Sequence, residues 1–150
     1  MSLLKVGKVL ELFYSTNNGR VGTDKLILDE KGVVEDKYYD KDAQRSVLIA
    51  SSESYELAST NGIDVPYSAL GENILIDYNP YHLTAGARLS IGNLVLEISQ
   101  NCTLCNSLSK VDKRLPKLLK DDRGIFAKVI TSGIINKGDN IYLLNNQIES

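Results

Sequence analysis

The most regular hydrophobic pattern in the chain runs from residue 92 to residue 105. Leu94, Leu96 and Ile98 alternate with Val95, Glu97 and Ser99, the two-residue period of a strand with one buried face. The alternation stops at Gln100, and a polar turn then carries Cys102 and Cys105, the only cysteines in the chain. A strand ending in a loop holds such groups still and leaves them reachable. Just upstream, Gly92-Asn93 between two apolar runs predicts a two-residue hairpin whose first strand is Arg88–Ile91.

Similar short runs recur along the sequence. Leu4, Val6, Leu10 and Leu12 fall on one face of an extended segment and predict a strand over residues 4–14. Ser15 to Arg20 reads as turn material. Short strands are expected at Lys25–Leu28, Gln44–Ala50, Ile74–Ile76, Ile125–Ile130 and Asn140–Leu144. Ser51 or Ser52 caps a helix through Tyr55, Leu57 and Ala58, which Asn61-Gly62 ends. Residues 107–120 also have helical spacing. There, Leu108, Val111, Leu115, Leu118 and Leu119 share one face and Lys110, Lys113, Arg114, Lys117 and Lys120 the other, with Pro116 splitting or bending the helix. Many short strands, frequent Gly and Asn turns and two or three short helices predict a mainly-β protein, a closed β-barrel. No internal repeat or composition shift divides residues 1–150, so one domain is expected.

Charge narrows the partners. The formal charge of −2 and pI near 5.4 give no electrostatic reason to expect nucleic acid or anionic lipid. No apolar run approaches the ~20 residues of a membrane span, and the first residues lack the apolar core of a signal peptide. A cytoplasmic address is the expectation, and there two cysteines are kept reduced. Glu35 to Asp42 is too charged for a core and too aromatic for a plain linker. Such a loop binds something or wraps an edge.

The candidate chemistry gathers at Cys102-Thr103-Leu104-Cys105. A thiolate is a strong nucleophile and can hold a soft metal or a second sulfur. A closed zinc site needs four ligands, whereas this chain offers two cysteines and one distant histidine, His82. Only a half-site completed by a dimer mate would serve. A thioredoxin-type dithiol belongs in a βαβ frame, which the surrounding pattern lacks. The plainer reading makes both cysteines small buried residues near a strand end. His82, in a Pro-Tyr-His loop, reads as a surface residue, and the basic face of residues 110–120 as solvated. No Ser-His-Asp set, paired-carboxylate motif, phosphate-cradling glycine loop or dinucleotide fingerprint is present.

Several separated segments together resemble one family. They are Glu35-Asp36-Lys37-Tyr38-Tyr39, Gln44-Arg45-Ser46-Val47, Gly71-Glu72-Asn73, Gly86-x-x-Leu89-x-Ile91-Gly92, Leu96 to Gln100 leading to Cys105, Arg123-Gly124-Ile125-Phe126-Ala127, and Gly133 with Gly138-Asp139. Their order and spacing resemble the MOSC domain, the C-terminal domain of molybdenum-cofactor sulfurases that also occurs as small standalone bacterial proteins. The resemblance implies a closed barrel similar to the β-barrel of pyruvate kinase. It also implies that Cys105 carries sulfur or ligates molybdenum of a pterin-bound cofactor. Arg45, Glu72, Asn73 and Arg123 fall on the family's pattern and are expected to line the same pocket. Arginine forks suit phosphate or an oxo-metal, and nearby positive charge favours the thiolate.

The chain also departs from that pattern. Leu104 stands where the family usually has proline, Tyr39 where it has histidine, and Glu35 where it has glycine. Cys102 is an addition, which leaves open a resolving thiol or a disulfide switch. Some relatives are fused to a pyridoxal-phosphate cysteine desulfurase, but no pyridoxal phosphate site is identified here. A separate cysteine desulfurase would be the sulfur donor, and a molybdoenzyme or its cofactor the acceptor. The expected function is sulfur or molybdenum–pterin handling through Cys105 in a cationic hollow of the barrel. The activity would be sulfur transfer, or service as the molybdenum-dependent component of a reductase. The alternative is a non-catalytic module whose two thiols respond to redox state or share zinc.

Overall fold

A computed structural model describes residues 3–102 and 108–144. Among the described residues, the strands are β1 (Leu3–Thr16), β2 (Gly19–Thr23), β3 (Lys25–Asp29), β4 (Gly32–Val33), β5 (Val47–Ser51), β6 (Ile74–Ile76), β7 (Arg88–Ile91), β8 (Leu94–Asn101), β9 (Ile125–Thr131), β10 (Gly133–Asn136) and β11 (Asn140–Leu144). Helices α1 (Ser52–Thr60), α2 (Leu108–Val111) and α3 (Leu115–Leu118) complete the set, with a 3-10 turn at Ala43–Arg45. No helix among the described residues is long and apolar enough to cross a membrane.

Seven strands close a ring in the order β11-β7-β8-β9-β5-β6-β1, with β1 pairing back to β11 and β2 extending from β1. The expected barrel is therefore present. Every pairing in it is antiparallel except β5 with β6, which α1 connects, because parallel neighbours require a crossover. A second sheet, β10-β3-β4, adds Leu26, Leu28, Val33 and Ile135 to the interior.

That interior is packed with hydrocarbon. Leu94, Leu96 and Ile98 of β8 meet Leu89 and Ile91 of β7, Val47 and Ile49 of β5, and Ile125 and Ala127 of β9. Burying each Leu or Ile contributes roughly 1.5–3 kcal/mol, and a ring of this size is filled by its own side chains. A second cluster lies on the outer side of the wall. Ala50 and Leu75, whose neighbours in sequence point inward, pack under Tyr55 and Ala58 of α1 and under Leu108, Leu115 and Leu119. This explains why every residue of β5 is buried: both faces of that strand are covered.

Several elements differ from the sequence-based expectation. Val9 and Leu12, not one unbroken even-numbered face, carry β1 into the interior, and Leu4 is 60% exposed. The register of β1 shifts between Lys5 and Gly7 and again between Val9 and Glu11. Such bulges reset the alternation of faces. Residues 44–46 are not strand, because the Asp42 carboxylate accepts from Gln44 N at 3.0 Å and sets a 3-10 turn. The helix expected over 107–120 is two short ones, while Ser107 lies outside the described residues. Asp112 accepts from Arg114 N at 2.8 Å, a local bond that competes with helix continuation. Pro116 sits harmlessly in the first turn of α3. Strands β2 and β10 carried too little apolar alternation to be foreseen. The Gly92-Asn93 hairpin is as expected, with Ile91 opposite Leu94. Of the two turn residues, Gly92 takes positive φ, +59°, and Asn93 does not, as a type II′ turn requires.

Candidate functional site

The strand ends around β5, β8 and β9 support a cavity of about 440 Å³ on the outer face of the barrel wall. Leu48 and Phe126 form its apolar floor. Their sequence neighbours Val47, Ile49, Ile125 and Ala127 all belong to the interior, so alternation turns these two outward. The hollow is thus outside the barrel rather than within it, because the lumen is already full. Residues 36–46 wall one side, contributing Asp36, Tyr38, Lys41, Asp42, Arg45 and Ser46. Gly71, Asn73, Cys102 and Arg123 complete the lining with Ser15.

Arg45 ends the 3-10 turn and is held over the Phe126 ring, 5.5 Å from its centroid. With its oxygen turned toward Arg45, the Gln100 amide accepts from Nε at 3.2 Å and Nη2 at 3.3 Å. Ser99 Oγ donates to the Gln44 carbonyl and ties the turn to β8. Arg123 is 7% exposed, and its Nη2 donates to the Leu70 carbonyl at 3.4 Å. Cys102 is a buried free thiol whose backbone N–H donates to Gly124 O at 3.0 Å.

Asn73 lines the cavity, but its amide is already engaged. Nδ2 donates to Asp36 Oδ2 at 3.0 Å and to Phe13 O at 3.2 Å, while Oδ1 accepts from Leu48 N at 3.0 Å. Asp36 is likewise satisfied, accepting from Ser15 N and Tyr38 N as well. Both acids of the lining are therefore occupied, Asp36 by these donors and Asp42 by the turn it caps. Lys41, Arg45 and Arg123, set against Asp36 and Asp42, leave the lining with a formal excess of one positive charge.

Glu72 does not reach the cavity. It is fully buried on the opposite side of the segment, where Oε2 accepts from Tyr55 OH at 2.6 Å and Ser68 N at 3.2 Å. Burial pushes its carboxyl above the ordinary carboxylate value, and the Tyr55 phenol above its own. Arg20 donates through Nη2 to the Glu72 carbonyl and through Nη1 to Ser15 Oγ at 2.7 Å. Glu72 thus joins α1 to the back of the cavity wall.

The structure brings Arg45, Asn73, Cys102 and Arg123 to one hollow and sets Glu72 behind it. Cys105 lies outside the described residues. Lys41, Asp36 and Phe126 belong to the site without having been singled out as site residues, although the charged aromatic segment 35–42 was the signal for the first two. Tyr39 turns away from the cavity. Its hydroxyl donates to Asp29 Oδ2 at 2.6 Å, which pushes the phenol up to about 12. His82 is exposed, with Nε2 3.2 Å from Tyr78 OH.

No curated protein matches the sequence. Among solved structures, the YuaD protein from Bacillus subtilis is similar with a TM-score of 0.83 at 18% identity, over 95% of this chain and 97% of that one. YiiM from Escherichia coli is similar with a TM-score of 0.69 at 19% identity, over 93% of this chain and 70% of that one. YiiM from Geobacillus stearothermophilus gives 0.65 at 16% identity, over 96% and 76%. At such identities the likeness is one of fold. The MOSC domain model matches residues 18–142, which include the whole lining of the hollow except Ser15. The chain belongs to the MOSC domain family.

Proposed function

We propose that this protein handles sulfur or a molybdenum–pterin cofactor at the outer-wall cavity, with Cys105 as the working thiol. The observation that carries this reading is the meeting of Arg45, Cys102 and Arg123, from three separate segments, on one cationic hollow. Cys102 itself lines the hollow. Three residues further on, Cys105 is tethered within about 11 Å of it by covalent reach alone. Cationic surroundings lower a thiol's pKa and favour the thiolate that either chemistry needs.

The lining also suits an anionic, partly flat ligand. Arg45 and Lys41 present donors for a phosphate group, and the face of Phe126 offers an apolar surface for a ring. A molybdenum–pterin group would be held by these residues, with Cys105 the soft ligand for the metal. It would supply an oxygen- or sulfur-exchanging centre. In the sulfur-carrier form, a cysteine desulfurase is the donor and a molybdoenzyme or its cofactor the acceptor.

Incubation with a desulfurase and cysteine, followed by mass spectrometry, tests the carrier form. The expected result is a mass gain of one sulfur atom that Cys105→Ser abolishes. Molybdenum and pterin analysis of the purified protein tests the ligand form, with Cys105→Ser expected to lose the metal. No sulfur gain and no molybdenum, or either signal undiminished in the variant, overturns the assignment. One zinc per dimer with no titratable thiol would instead favour the zinc-sharing module.

A further inference from the structure

Residues 108–120 carry five basic side chains and one acidic one, in a chain whose formal charge is −2. The acid is already engaged: Arg114 Nη2 lies 2.9 Å from Asp112 Oδ2. Lys110, Lys113, Lys117 and Lys120 are exposed, and none has an ion-pair partner among the described residues. Helices of four residues are not stable alone. Here Leu108, Leu115 and Leu119, each at most 1% exposed, anchor them in the outer cluster. Arg114 Nη1 also reaches the Asn61 carbonyl at the end of α1, at 3.4 Å. The lysines therefore stand on a fixed ridge, with Val111, 43% exposed, among them. Along the chain the ridge falls between two residues of the cavity lining, Cys102 and Arg123.

We propose that the α2–α3 ridge docks an acidic protein surface beside the cavity and is the face on which a macromolecular sulfur donor seats. The nature of the cargo rests on the function proposed above. The contact itself does not. Glu53, Glu56, Asp121 and Asp122 line the hollows adjoining α1 and the end of the ridge. Duplex nucleic acid or an anionic bilayer would meet those acids along with the lysines and be repelled. A folded partner can place its own acids opposite the lysines and an apolar side chain over Val111. In the transfer, the Cys105 thiolate attacks the terminal sulfur of the donor's persulfide. The donor's S–S bond breaks and its cysteine leaves as thiolate, with no net oxidation or reduction.

The test uses the full chain with a bacterial cysteine desulfurase as probe, and direct binding is read before transfer. A variant with Lys110, Lys113, Lys117 and Lys120 all changed to Glu is expected to lose roughly tenfold or more in desulfurase binding at low salt. Reversing Lys5, Lys8, Lys25 and Lys31 instead should leave binding within about twofold. Sulfur loading from the desulfurase should fall with binding, while loading from inorganic polysulfide stays equal in the ridge variant and the parent. Equal desulfurase binding in parent and ridge variant, or none in the parent, overturns the docking face. So does tighter binding of duplex DNA or phosphatidylglycerol vesicles through the same lysines. Binding that depends on the ridge, with no sulfur loading from either donor, supports the docking face and removes the sulfur-carrier reading.

Discussion

Glu72 and Asn73 are adjacent in sequence and do opposite things. They lie in the bend just ahead of β6, where Asn73 lines the cavity while Glu72 turns toward Tyr55. The consequence is a pH dependence. Burial raises the Glu72 carboxyl above its ordinary value near 4.5, so as pH falls the folded state takes up that proton before the unfolded chain does. Stability contributed by this group is then greatest at low pH and declines as pH rises from about 4.5 through the raised value. Glu72→Gln is expected to remove that decline, measured as urea midpoints across the acid range, and a variant with the parent's slope would refute it. The sequence made the residue types of the site legible: Arg45, Arg123, Asn73 and Cys102 reach one place. It did not reveal depth. Whether a carboxylate just ahead of a short strand faces a cavity or the underside of a helix depends on the covering element, here α1, whose Tyr55 is 17 residues away in the chain.

At the scale of elements, local chemistry was readable wherever one residue dictates a backbone state. Ser51 caps α1 by accepting from Glu53 N at 3.1 Å, and Gly92 makes the β7–β8 hairpin. A Cβ at Gly92 would stand 2.9 Å from Ile134 O and from Asp139 Oδ2, at a φ of +59°. Gly92→Ala should therefore cost about 1–3 kcal/mol in chemical denaturation, with unchanged affinity for any cavity ligand. The misjudged elements are those ruled by their surroundings. The bulges of β1 answer to pairing with β11 and β6, and the β10 strand exists because Ile135 can pair with Leu26 across a sheet edge. Neither partner is near in sequence, so periodicity alone had nothing to register.

For the molecule as a whole, the arrangement separates stability from chemistry. The lumen of the barrel is hydrocarbon, and the polar hollow sits outside it on the same strands. An ionic ladder of Arg88, Glu97 and Lys128, at 3.0 and 3.2 Å, crosses β7, β8 and β9 on the outer surface, and such half-exposed pairs add little. Leu96, fully buried in the lumen, should matter far more. Leu96→Ala is expected to cost about 2–5 kcal/mol, appearing as a lower urea midpoint with an unchanged slope. A cost below about 1 kcal/mol would contradict a tightly filled lumen.

The ring closes where Leu3 pairs with Leu144, the first described strand against the last. During synthesis on the ribosome β1 therefore has to wait, with that edge unsatisfied, until nearly every other described residue has emerged. Closure of the barrel is accordingly a late event in the synthesis of residues 3–144, and the interval before it is when the nascent chain most needs shielding from its neighbours.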